Sequence, residues 1–185
     1  MRKHLAVFLL ALHGAAHAVT LVVDTGADTV LSACTAAPGD CTLRGAITAA
    51  NSTPAADVIE FAIPQADPSY QAGTDSWAIL VGATALPGIE APVLIDGYSQ
   101  PGASPNSNTP DDGGLNSVLK IELRPAAPPA QFNGLEISLN FFAQPASTIR
   151  GLAISRFPVQ IFLAGSSAHR VEGCFLGTNV SGTAA

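Results

Sequence analysis

Apolar positions along this chain fall in short runs separated by Pro, Gly, Ser and Asn. Val19 to Asp24 (VTLVVD) is β-branched and reads as a strand. Further strand-like runs are Val58–Ile63, Trp77–Val81, Val93–Ile95, Val118–Leu123, Gly134–Leu139, Ile149–Ile154, Val159–Leu163 and Val171–Leu176. One segment has a different period. Leu43, Ala46, Ile47 and Ala50 fall at i, i+3, i+4 and i+7, which makes one apolar helical face. Asp40 and Thr42 stand where free N–H groups need acceptors, and Asn51 and Pro54 end the helix. No strand is followed by a second helical pattern, which argues against repeated βαβ units. Gly134-Leu135-Glu136-Ile137 resembles Gly151-Leu152-Ala153-Ile154, and Gly173-Cys174-Phe175-Leu176 is a weaker third copy. Their spacings, roughly 17 and 22 residues, fall in the range of solenoid repeats. The pattern predicts an all-β solenoid with a short α-helix capping its front, in preference to a β-sandwich. Ser99 to Gly114 reads as a long projecting loop.

The N-terminal segment changes the picture. Arg2, Lys3 and His4 precede the apolar core Leu5–Leu12, which is too short to span a bilayer. Ala16-His17-Ala18 is a small-x-small cleavage site, so residues 1–18 read as a signal peptide cut before Val19. Residues 19–185 then form one domain, secreted or held at the cell surface. The whole chain has a net charge of −6; Arg2 and Lys3 leave with the leader, so six basic residues face 14 acidic ones, a net −8. No basic run is present, which argues against nucleic acid and anionic membrane surfaces as partners. No later stretch is long and apolar enough for a transmembrane helix.

Cys34 and Cys41 bracket a turn-rich loop, and in an exported chain that spacing makes them a disulfide candidate. A metal pair is the alternative, without a second ligand pair to complete it. Cys174 is left over in an apolar run and reads as a buried free thiol.

With these residues in place, the chain resembles secreted proteins in which a CSLREA-type N-terminal segment leads into a right-handed parallel β-helix. The matching residues are Cys41-Thr42-Leu43-Arg44-Gly45-Ala46-Ile47, Ala49-Ala50-Asn51 and Asp57-Val58-Ile59-Glu60-Phe61. Ile95–Gly102, Ile149–Ile154 and Gly177-Thr178-Asn179 extend the likeness. Two positions depart from the pattern. Gly45 stands where an acid would complete a capping box with Thr42, and glycine lowers helix propensity by about 1 kcal/mol. Cys174 stands where the resemblance implies a stacked Asn. Against the resemblance, residues 19–185 read as the capping segment and first coils of a longer, truncated protein. Their uncapped last strand predicts self-association.

The candidate chemistry is sparse. After leader removal only His169 remains, in a turn without a Gly-x-Ser-x-Gly elbow, so it reads as an exposed turn histidine. Asp96, Glu122, Glu136 and Glu172 lie in or beside strands, where acids on neighbouring strands reach glycosidase separations. Asp96 and Glu122 are the candidate catalytic acids among them, with outward solvated charges as the alternative. Asp111-Asp112-Gly113-Gly114 lacks the ligand spacing of an EF-hand, and Gly177–Thr183 has no phosphate-loop lysine. No metal site and no cofactor is expected. Two functions fit. The first is a secreted or surface module with a structural, adhesive or glycan-binding role, whose partner is an extracellular polysaccharide or a surface protein. The second is the N-terminal part of a polysaccharide lyase or glycoside hydrolase whose catalytic coils lie beyond residue 185.

Overall fold

The structure, a computed structural model, describes residues 17–138, 146–165 and 168–183. Almost all of the leader read over residues 1–18 lies outside the described residues.

Among the described residues, the strands and the α-helix follow the chain as β1 (Thr20–Val23), α1 (Leu43–Ala50), β2 (Asp57–Phe61), β3 (Tyr70–Gln71), β4 (Ser76–Val81), β5 (Val93–Asp96), β6 (Ile121–Pro125), β7 (Leu135–Ser138), β8 (Thr148–Arg150), β9 (Leu152–Ile154), β10 (Ile161–Ala164), β11 (Arg170–Glu172) and β12 (Phe175–Leu176). They form three sheets: β1-β2-β5-β8-β11, β12-β9-β6-β4-β3, and the pair β10-β7. All pairings between these strands are parallel except β3 with β4.

The core lies where the inner faces of these sheets meet. Period-two alternation sends Ile59, Ile95 and Ile149 inward from the first sheet and Ile79, Leu123 and Ile154 inward from the second, each buried. Ile137 of the small sheet joins the same cluster. Helix α1 contributes Leu43, Ala46, Ile47 and Ala50, all buried, as its apolar periodicity predicts.

The expectation of an all-β, right-handed parallel β-helix is overturned. The chain is a mixed α/β arrangement: its helix is built into the core, one large sheet is mixed because β3 runs antiparallel, and the strands lie in three separate sheets. A solenoid also needs a steady period. Register partners in the first sheet instead step unevenly along the chain, from Thr20 to Val58, Val58 to Leu94, Leu94 to Thr148 and Thr148 to Arg170. The Gly-Leu-x-Ile recurrence marks neighbouring strands only in part: Ala153 and Ile154 pair in register with Phe175 and Leu176, the matching positions of the third copy, whereas Leu135 of the first copy pairs with Ile161 in the small sheet.

Two runs read as single strands are each two. Ile149–Ile154 breaks at Gly151 (φ +69°) and Val171–Leu176 at Gly173 (φ +56°), so the chain turns there from the first sheet into the second. A Cβ at Gly151 would meet the backbone nitrogen and ring of Tyr98 at 2.8 Å, so this corner requires glycine on both counts.

The disulfide Cys34–Cys41 is present and closes the loop in front of α1. Among the described residues, no helix is long and apolar enough to cross a membrane.

Candidate functional site

The outer face of the first sheet carries the densest set of charged side chains that the fold places in line. In β2, Ile59 and Phe61 point inward, which turns Val58 and Glu60 outward; β8 repeats the alternation, β5 repeats it from Val93 to Ile95 with Asp96 also buried, and all three residues of β11 are exposed. The register then sets Glu60 beside Asp96, Asp96 beside Arg150 and Arg150 beside Glu172. Neighbours in this column are about 4.8 Å apart, one strand spacing.

Arg150 holds the column together. Its Nη2 donates to Asp96 Oδ2 at 2.6 Å, while the other Asp96 oxygen accepts the Tyr98 N–H at 3.0 Å. That second bond caps the 3-10 turn Gly97–Ser99. The hydrogen bond to Asp96 raises the Arg150 pKa further, against partial desolvation, and Glu172 adds to the rise. Tyr98 roofs one side and donates its hydroxyl to Gly173 O at 2.9 Å. Burial is the main cause that lifts its phenol above the ordinary range. Glu60 directly faces a like charge at Asp96, an unfavourable pairing that Arg150 offsets. The Glu60 carboxylate has no ion-pair partner among the described residues. The column therefore runs acid, acid, guanidinium and acid at regular intervals, with Asp96 buried and committed to Arg150 and Tyr98 and with Glu60, Arg150 and Glu172 reaching solvent, a pattern of acceptors around one donor that suits a repeating polar ligand.

The two candidate acids are not brought together. Asp96 is 8% exposed and bound as described. Glu122 lies on the second sheet, in register with Ala78 and Ala153, and pairs with Arg124 at 3.4 Å. Glu136 belongs to the small sheet, within 3.3 Å of Ser138 Oγ. Of the other acids, Glu172 shares the column with Asp96, and its carboxylate lies 3.5 Å from Arg170. His169 is half-buried, and its Nδ1 accepts the Ser147 N–H at 3.1 Å, which corrects its reading as an exposed turn residue. Asp112 accepts the Thr109 N–H and hydroxyl, both at 2.8 Å, and these bonds lower its pKa. Among the described residues, no group of three or more His, Cys, Asp or Glu side chains could hold a metal ion. The Cys174 thiol is free and half-buried, and burial raises its pKa.

Sequence reasoning missed a second polar cluster. Arg44 donates to both oxygens of Asp28, at 2.8 and 3.0 Å, and to the carbonyls of Ala85 and Thr84 at 2.6 and 2.9 Å. Asp28 also accepts the Gly82 N–H at 2.6 Å. Asp28 also edges a shallow depression of about 290 Å³, lined in part by Thr25, Asp67, Ser69 and Leu80. The one sequence signal for it was Arg44 itself, the only long polar side chain in a helix of small and apolar residues.

The chain matches no known family model, no curated protein and no solved structure.

Proposed function

We propose that the chain is exported, with residues 1–18 removed, and acts outside the cell as a structural or adhesive module that binds a neutral or amine-bearing polysaccharide. The column Glu60–Asp96–Arg150–Glu172 is the observation that carries this reading. Carboxylates accept hydrogen bonds from sugar hydroxyls and ammonium groups, and one strand spacing sets a repeat along the polymer. The column's three acids, with a net charge of −8 after leader removal, disfavour polyuronates. The Cys34–Cys41 disulfide suits an oxidising compartment, and the likeness of Cys41–Asn51 to CSLREA-type segments of secreted proteins supports the same location.

Titration calorimetry of the exported chain against chitosan hexamer, cellohexaose and polygalacturonate tests the reading. Binding of at least one of the first two, with none to polygalacturonate, is expected. Glu60→Gln and Glu172→Gln, which leave the Asp96–Arg150 pair intact, should each weaken binding about tenfold, the loss of one charge-assisted hydrogen bond. Preference for polygalacturonate, or indifference to both substitutions, would contradict the proposal. Reproducible release of reducing ends from any of the three would favour a lyase or hydrolase instead.

A further inference from the structure

Asp57 is a carboxylate buried to 1% exposure at the start of β2. One oxygen accepts the Thr53 hydroxyl at 2.8 Å and the other accepts the backbone N–H of Val19 at 2.9 Å. Both donors are neutral, and Asp57 has no ion-pair partner among the described residues. Buried carboxylates are ordinarily matched by a positive charge, because neutral donors compensate only part of the lost hydration. Val19 is also the residue that the small-x-small motif Ala16-His17-Ala18 places first after leader removal. Cleavage of the 18–19 peptide bond would turn its amide nitrogen into an α-ammonium without moving it from the carboxylate.

We propose that leader removal completes an ion pair between the new Val19 α-ammonium and the buried Asp57 carboxylate, and that this pair latches β1 onto the sheet. Hydrolysis adds water across the Ala18–Val19 bond: the C–N bond breaks, the Ala18 carbonyl carbon takes the water oxygen and leaves as a carboxylate, and the Val19 nitrogen takes both water protons to become –NH3⁺. The contact then changes from one neutral hydrogen bond to a charge-assisted one. The latch sits at the start of the β1–β2 ladder, where Val58 N–H already donates to Val19 O at 2.9 Å and Thr20 registers with Val58. β1 is an edge strand, held by β2 alone on one side of its sheet, so its end frays most readily without such an anchor. The inference rests on the export reading and adds a structural role for the cleavage itself.

Intact mass of the exported protein first shows whether it begins at Val19. A different start would overturn the cleavage reading alone. A chain prepared to begin at Val19 tests the pair in either case. Its α-amine, held protonated by Asp57, should acylate at neutral pH at least about tenfold more slowly than that of the Asp57→Asn variant, the effect of a shift of one pKa unit. The Val19-start chain should also show a higher urea midpoint than one retaining Ala18, and Asp57→Asn should erase that difference. Should Asp57→Asn fail to fold, acylation of the Val19-start chain in native buffer and in denaturant replaces the comparison, with the same tenfold difference expected. An α-amine that reacts at the denatured rate, or an Ala18 extension that leaves the midpoint unchanged, would overturn the latch.

Discussion

Gly45 is under two opposed demands. In the helix interior it forfeits about 1 kcal/mol against alanine, and read from sequence it marks a weak point. In the fold, a Cβ there would overlap the backbone carbonyl of Leu31. That close approach lets Thr42 N–H donate to Leu31 O at 3.1 Å and Thr42 Oγ1 accept the Gly45 N–H at 3.0 Å, so the cap forms without the missing acid. Gly45→Ala should therefore destabilise the protein by about 1–3 kcal/mol despite its better helix propensity. Urea denaturation checks this, and a stabilised variant would contradict it. Thr42 as the cap was legible in the sequence, whereas the packing of Gly45 depends on the upstream loop that carries Leu31. Asp67 supplies a pH effect on the same scale. Burial tends to raise its pKa, but bonds from Ser69, Thr25 and Gly26 outweigh that and leave it lowered. A carboxyl that binds its proton less tightly when folded adds stability above its unfolded pKa of about 3.9, and loses it as the pH falls through the folded value. Asp67→Asn should thus flatten the fall in urea midpoint as the pH drops from about 5 to 2. An unchanged slope would count against the hydrogen-bonded carboxylate.

Helix α1 is held by more than its apolar stripe. Arg44, on the flank of that stripe, reaches Asp28 and the carbonyls of Thr84 and Ala85, and so ties the helix to two loops. Both charged side chains are nine-tenths or nearly so removed from solvent. Arg44→Met should cost about 3–5 kcal/mol, because it strands the Asp28 charge, and adding Asp28→Asn should recover part of the loss. Chemical denaturation of the single and double variants gives both values, and an Arg44→Met variant as stable as the parent would contradict the staple. Helical periodicity made α1 legible, but nothing local pairs residue 44 with residue 28. The strands show the same division. β-branched composition located β2, β4 and β5 closely, while β3, only Tyr70 and Gln71, is defined by its antiparallel partner β4 and carries no pattern of its own. The corners at Gly151 and Gly173 were hidden because apolar residues continue through them, and only tertiary pairing sends the two halves into different sheets.

At the scale of the whole molecule, parallel pairing converts an irregular sequence into a regular surface. Connections between register partners in the first sheet are uneven: the run from Leu94 to Thr148 is more than twice as long as the run from Thr148 to Arg170, which is why no sequence period reveals the alignment. Asp96 was legible as a strand-end acid, but its neighbours Glu60 and Arg150 were not, since distant stretches of the chain carry them. The parallel register of β2, β5, β8 and β11 brings them into one line, and the polysaccharide reading depends on that line. Amide chemical-shift mapping during a titration with chitosan hexamer tests it most directly. Shifts concentrated in Val58–Glu60, Leu94–Asp96, Thr148–Arg150 and Arg170–Glu172 are the expected result. Shifts confined to the depression around Thr25, Asp67 and Ser69, or scattered without reference to the first sheet, would contradict it.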